Sequence, residues 1–338
     1  MSSSPEMTDA LAVVKIENLT KRYGDFTALD GLTLQLHRGQ ILGLIGHNGA
    51  GKSTAIRILV GQSRPTFGAA SIAGHDCQRD FRKIKRMVGY MPDVFGSYDN
   101  MRVSEYLDFF GAAFGIARKQ RSGRVAEVLE MTGAAPWRDR FVESLSHGMK
   151  QRVAVARTLM HDPEVLILDE PANGLDPQAR VEMRQLLRKL ADQGKTLIVS
   201  SHILSELARV CDVAAILVRG RLRAFGTVDE ILEQLKQRRM FEAQFADQGM
   251  IELASQIIAD WLEGETEISA SEGERVIRFH TTSSDQQMGG LLEKLTAAKT
   301  GVQQFREVEA DLEEAFMLIT DAPADPAPTP LPDAPCSA

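Results

Sequence analysis

Between about residues 11 and 235, short apolar runs alternate with longer stretches in which apolar residues recur every three or four positions. That alternation of strand-like and helix-like periods predicts an α/β domain. Runs at 40–45, 165–168, 196–200 and 213–218 predict strands. Those around Leu168 and Val199 are unbroken rather than alternating, as in central parallel strands covered on both faces. The pattern turns helical over about 93–160, with RVSEYLDFFGAAF and GRVAEVLEMTG as amphipathic segments, and reads as a helical insertion in the first domain. From about 236 to 320 short strands (MFEAQF, RVIRFHT, GVQQFREVE) interleave with helices (GMIELASQIIADWL, DQQMGGLLEKLTAAK, ADLEEAFMLIT), predicting a small α+β accessory domain. Residues 321–338 are proline-rich, with Leu331 as their one large apolar side chain, which is the composition of a disordered tail.

The composition narrows the function classes. A chain of 338 residues with 43% hydrophobic and 25% charged residues is an ordinary globular protein. Its net charge of −7 lacks the basic footprint of a non-specific nucleic-acid binder, so no nucleic-acid partner is expected. No apolar run approaches the roughly 18–20 residues that span a bilayer, and MSSSPEMTDA lacks the pattern of a secretory signal. A cytoplasmic location follows as the expectation, with any membrane-spanning part supplied by another chain. Cys77, Cys211 and Cys336 are far apart, and the seven histidines form no HxxxH pair, so neither a disulfide framework nor a zinc site is predicted.

Against that background, GHNGAGKST stands out at Gly46–Thr54, after the apolar run ILGLI and before the amphipathic AIRILVG. Gly46 and Gly51 let the backbone wrap an anion with its N–H groups, and a following helix N-terminus adds partial positive charge. Lys52 would reach terminal phosphates and the Ser53 hydroxyl would ligate Mg2+. Nucleoside triphosphate binding is the inference.

Three more segments bear chemistry. VLILDE delivers Asp169 at the end of an apolar strand, where open α/β sheets bind ligands, placing it to hold Mg2+. Glu170, one residue on, can accept a proton from an attacking water. A second strand, TLIVS, runs into Ser200-Ser201-His202, which brings His202 toward the same crevice. In LSHGMKQR, Ser146 sits where a helix cap belongs and Gly148 bares the first-turn N–H groups, a second anion site remote from the first. An ordinary capped helix would look the same on that segment alone.

Together, in order, GHNGAGKST, LSHGM, VLILDEP, NGLD and the His202 strand end resemble the ATP-binding cassette (ABC) ATPases over about residues 13–230. The resemblance implies a P-loop NTPase fold with a helical insertion, and ATP as substrate with Mg2+. It makes Gly46, His47, Asn48, Gly49, Ala50, Gly51, Lys52, Ser53 and Thr54 the Walker A loop and Tyr23 the aromatic that stacks on adenine. Asp169 becomes the magnesium carboxylate, Glu170 the general base and His202 the switch histidine at the γ-phosphate. Ser146 and Gly148 become the signature motif, and Asp176 the D-loop residue, both directed at ATP on an opposite cassette. One copy of each motif per chain implies two cassettes head to tail, most simply a homodimer, docked on a separately encoded membrane permease at the cytoplasmic face.

The sequence departs from the family pattern at four places. His147 and Met149 replace Gly and Gln in the usual LSGGQ. His47 stands where Pro is common, at a position that uses backbone groups. Asp93, in VGYMPD, replaces a glutamine; it keeps an oxygen able to face the Mg2+ water shell but is shorter and adds negative charge. The block ending DLEEAFMLIT resembles the accessory domain of drug, lipid or polysaccharide exporters, which points to export. The alternative is a soluble ABC ATPase with an assembly, ribosome or DNA role, for which the expected second cassette, coiled coil or basic surface is missing from this sequence.

Overall fold

The structure, a computed structural model, describes residues 12–94, 96, 100–203, 207–231, 239–262, 268–271, 275–281 and 283–308. The helical motif expected at 310–320, the tail expected at 321–338 and Cys336 lie outside the described residues.

Two sheets form the first unit. An antiparallel sheet combines β1 (Val14–Tyr23), β2 (Phe26–Leu36), β4 (Phe67–Ile72) and β5 (His75–Asp76), in the order β2-β1-β4-β5. The second sheet holds β3 (Ile41–Ile45), β6 (Val88–Met91), β7 (Val165–Leu168), β8 (Thr196–Ser201), β9 (Val213–Val218) and β10 (Arg221–Gly226), ordered β10-β9-β3-β8-β7-β6. All its pairings are parallel except β9 with β10. The helices are α1 (Lys52–Leu59), α2 (Phe81–Met87), α3 (Val103–Ala113), α4 (Arg118–Met131), α5 (His147–Leu159) and α6 (Pro177–Asp192).

The unbroken apolar runs are explained by two cores, one on each face of the parallel sheet. Leu42, Leu44, Val165, Ile167 and Ile198 point into a core shared with α1 and the antiparallel sheet. Their chain neighbours Ile41, Ile45, Leu166, Leu168, Leu197 and Val199 point into the other, shared with α3, α4, α5 and α6. Period-two alternation is present, but both phases are apolar because both faces are covered. Helix α5 packs directly on β6, so the last helix of the expected insertion also caps the sheet.

A third sheet, ordered β12-β13-β11-β14, is built from β11 (Arg239–Phe245), β12 (Ile268–Ser271), β13 (Val276–Thr281) and β14 (Val302–Val308). On one face Phe241, Ala243, Phe245, Ile277 and Phe279 share a core with α7 (Ile251–Trp261) and α8 (Asp285–Ala297). On the other, Glu242 lies between Arg306 at 2.6 Å and Arg278 at 2.9 Å. The Arg306 hydrogen bond, more than Arg278, holds its carboxyl below the usual carboxylate range despite burial.

Two glycines predict opposite responses to one added methyl. At Gly89 in β6 a Cβ would sit 2.7 Å from both the Thr158 Cγ2 and the Thr158 carbonyl of α5. Gly89→Ala is expected to lower stability by about 1–3 kcal/mol, read as a lower urea midpoint. Gly123, exposed inside α4, has open space around its Cβ position. There Gly123→Ala is expected to raise stability by about 0.5–1 kcal/mol.

Candidate functional site

Four parallel strands end at one edge of the second sheet, and their ends carry the chemistry. Ile45 of β3 pairs with Ser201 of β8, Leu168 of β7 pairs with Val199 of β8, and Met91 of β6 pairs with Leu168. The residues that follow are therefore neighbours in space: the loop Gly46–Gly51, Asp169 and Glu170, Ser201 and His202, and Asp93. A cavity of about 260 Å3 at this edge is lined by Phe26, Ala28, His47–Thr54, Asp93, Asp169 and Glu170.

The loop is shaped by its glycines. Gly51 caps α1 with φ 107°, and a Cβ there would lie 2.7 Å from the Ala28 carbonyl and 2.8 Å from Leu29. Both the backbone conformation and the space admit only glycine. The loop is tied to the sheet by Gly46 N–H to the Ser201 carbonyl and by Gly220 N–H to the Ala50 carbonyl. Lys52 starts α1, is 6% exposed and donates to the Gly46 carbonyl. Ser53 is exposed at the cavity, next to Thr54.

Glu170 stands at the centre of the charged groups. Its Oε1 lies 3.4 Å from Lys52 Nζ, and its Oε2 lies 2.9 Å from His202 Nδ1. The backbone of Glu170 is left-handed, φ 51°, which costs a non-glycine residue about 1 kcal/mol or more. Ser200 supports that conformation: its Oγ accepts the Glu170 N–H at 2.9 Å and donates to Asp169 Oδ1 at 2.5 Å. One hydroxyl therefore orients both acids.

Asp169 is 6% exposed. Burial pushes its pKa up and the Ser200 hydrogen bond opposes the shift; the Glu170 and Asp93 charges raise it and Lys52 lowers it. The Tyr90 phenol on β6 is raised as well, by burial first and then by Asp169. This edge of the sheet is thus short of positive charge. Its donors are hard oxygens, and among the described residues no cluster of three or more His, Cys, Asp or Glu forms a protein-only metal cage. That donor set fits Mg2+, which uses one or two carboxylates and takes its other ligands from phosphates and water.

Other predicted residues lie elsewhere. Ser146 caps α5, with Oγ accepting the Met149 N–H at 3.4 Å. Asp176 caps α6, with Oδ1 accepting the Ala179 N–H at 2.8 Å. Ser146, Gly148 and Asp176 are not among the residues lining the cavity. Nor is Tyr23, which is exposed under Lys21, the cation 4.8 Å from its ring centroid. Its hairpin partner Phe26, 64% exposed, is the aromatic in the cavity wall. Phe26 and Ser200 were not singled out from sequence. The available signals were a second aromatic two residues past a Tyr-Gly turn, and a serine ending an otherwise apolar strand.

The ABC transporter family profile matches residues 29–173. The bacitracin transport ATP-binding protein BcrA of Bacillus licheniformis is 39% identical over 237 residues, covering 70% of this chain and 76% of that protein. The linearmycin resistance ATP-binding protein LnrL of Bacillus subtilis is 30% identical over 308 residues, 91% of this chain and 98% of that one. The probable multidrug ABC transporter ATP-binding protein YbhF of Escherichia coli is 35% identical over 256 residues, 76% of this chain, and the match spans 43% of YbhF. Among solved structures, an ATP-binding subunit of an ABC transporter superposes with a TM-score of 0.60 at 31% identity, covering 66% of this chain and 93% of the other. CbiO1 of Clostridium perfringens, part of the ABC transporter complex cbiONQ, does so with 0.62 at 28%, covering 67% and 94%.

The raised pKa of Asp169 has a stability consequence. The folded state holds this proton more tightly than the unfolded chain, so the buried charge costs stability at neutral pH. The cost fades as the pH falls through the raised pKa toward the ordinary carboxylate value of about 4. Asp169→Asn keeps an oxygen for the Ser200 hydroxyl and removes the charge. In EDTA at pH 7 it is expected to stabilise the chain by about 1 kcal/mol, with a smaller gain near pH 4, measured by urea unfolding. An unchanged midpoint at pH 7 contradicts the electrostatic account.

Proposed function

Because the chain belongs to the family of ABC transporter ATP-binding proteins, we propose that it is the ATP-hydrolysing subunit of an exporter whose membrane-spanning part is a separate chain. The observation that carries the reading is Glu170, held between Lys52 and His202 at the wall of a phosphate-loop cavity. Residues 11–235 would be the cassette and 236–320 the accessory domain.

The triphosphate enters along the Gly46–Thr54 loop, whose N–H groups and Lys52 take up its charge. Phosphate oxygens compete with Glu170 for Lys52 Nζ, and losing that partner leaves Oε1 free to accept a proton from the attacking water. Ser200 keeps the carboxylate aimed, while His202 binds Oε2 through Nδ1 and supplies its other ring nitrogen to the γ-phosphate. Ser53 and Asp169 would hold Mg2+, with Asp93 facing its water shell; the ion would neutralise charge building on the phosphoryl oxygens. Phe26 and Tyr23 offer aromatic surface for the adenine.

Two copies complete the chemistry, with Ser146, Gly148 and Asp176 of each reaching the nucleotide held by the other. Among the described residues no helix is long and apolar enough to cross a membrane, which agrees with a separate permease and a peripheral place at the cytoplasmic face. Two adjoining cavities between the helical insertion and the sheet, of about 430 and 640 Å3, share Phe114 and His161 and are the site for a permease segment. The export direction is drawn from the relatives named for bacitracin transport and linearmycin resistance.

Glu170→Gln is expected to retain ATP binding and trap the two-copy assembly while lowering phosphate release by about 10²–10⁴-fold. Near-normal turnover in that variant would falsify the assignment of the base. Lys52→Ala is expected to lose ATP affinity. The transport reading is tested by pull-down of the tagged chain from detergent-solubilised membranes. The wild type should retain a polytopic membrane protein in stoichiometric yield that Phe114→Asp releases with ATP binding intact; ribosomal or DNA partners instead refute transport.

A further inference from the structure

The signature segment departs from the family pattern at His147, and the fold gives that side chain a specific partner. His147 opens α5 directly after the Ser146 cap, and its Nε2 lies 2.9 Å from the Asn173 carbonyl. A carbonyl only accepts, so Nε2 carries the hydrogen and donates it. The Asn173 N–H donates in turn to the Glu170 carbonyl at 3.1 Å. The histidine therefore holds the far end of a short turn whose first residue is the carboxylate between Lys52 and His202.

Neighbouring contacts bring the two segments together without making this link. Gly148 allows close approach, since a Cβ there would lie 3.3 Å from Ala179 Cβ and 3.6 Å from Leu175 Cδ2. One turn further along, Arg152 pairs with Glu182 and ties α5 to α6. Both contacts align the helices, whereas the His147 bond reaches the 170–173 turn. A glycine at this position, as in the usual signature, has no side chain to make it.

We propose that His147 is a positioning residue which transmits the placement of the α5 N-terminus to Glu170 of the same chain. The inference rests on the two-copy ATPase reading above, in which the start of α5 meets the ATP held by the opposite copy. Engagement of Ser146 by one nucleotide then sets, through His147 and Asn173, the carboxylate that acts on the other. This gives the two sites an energetic coupling carried by one hydrogen bond.

The test compares wild type, His147→Ala and His147→Gln as full chains with Mg2+, measuring phosphate release against ATP concentration and binding of a fluorescent ATP analogue. His147→Ala is expected to lower kcat about three- to tenfold, the worth of one hydrogen bond, and to bring the Hill coefficient toward 1. Analogue binding should stay within about twofold of wild type, because the phosphate loop is untouched. The glutamine amide can donate to the same carbonyl, so His147→Gln should recover most of kcat. Full turnover by His147→Ala, equal impairment of both variants, or a parallel loss of analogue binding overturns the inference while leaving the ATPase reading in place. A wild-type chain that turns over no ATP overturns both.

Discussion

A carboxylate buried at the end of a β-strand is costly unless something compensates it, and the arrangement around Asp169 answers to that constraint. Asp169 directly follows β7, is 6% exposed and has Glu170 and Asp93 as negative neighbours. Among the described residues the compensation is a neutral hydrogen bond from Ser200, with Lys52 as a weaker electrostatic influence. That deficit is what makes the edge receptive to a divalent cation accompanied by phosphates. The same Ser200 hydroxyl stabilises the left-handed backbone of Glu170, so strain and charge excess converge on one residue pair and are held by one side chain. The register of β3, β8, β7 and β6 then does the rest, because parallel strands paired in this register bring their C-terminal ends, and the loops that follow them, to one edge.

Cores on both faces of the parallel sheet explain why β3, β7, β8 and β9 were readable as unbroken apolar runs, whereas β1 and β6 were not. β7 and β9 fall where the apolar runs at 165–168 and 213–218 predict them, and β3 and β8 differ from the predicted runs by one residue each. Strand β1, VKIENLTKRY, was not singled out: its bulges shift the register between Ile16 and Leu19 and again near Lys21, which breaks the alternation that would mark it. Strand β6 is short, and Gly89 and Tyr90 dilute its apolar signal, yet Thr158 of α5 packs against it so closely that glycine is needed. Four-residue β12 carries the half-polar sequence ISAS and is defined by pairing with β13 rather than by its own composition.

The site was legible to a different degree in each of its parts. The phosphate loop, Asp169 and Glu170 are contiguous motifs, and the strands bring them to one cavity. The positions that sequence reading did not reach are those whose role depends on a partner distant in the chain. Ser200 matters because it lies opposite Asp169 across β7 and β8, 31 residues away. Phe26 rather than Tyr23 lines the cavity although the two are cross-strand partners in the hairpin at 23–26, and local sequence does not encode which of them reaches the loop. His147 was legible only as a departure from pattern; its hydrogen bond to Asn173 depends on how α5 packs beside the start of α6.

Two polar caps share a feature that bears on assembly. Ser146 and Asp176 each satisfy a first-turn N–H of their own helix, α5 and α6, and both are exposed away from the cavity lining. Each helix start still presents N–H groups and a partial positive charge to solvent, suited to an anion the chain does not itself bring there. The Gly46–Thr54 loop lines an open cavity, which on the proposed reading would cradle one side of a triphosphate and leave the other side open. On the proposed reading, one chain carries two anion-binding half-sites on separate surfaces. In the proposed two-copy assembly, a second copy in head-to-tail orientation would join them twice, closing two nucleotide sites with a single interface. Substrate would drive that assembly by electrostatics, because each triphosphate would supply the negative charge that both half-sites lack.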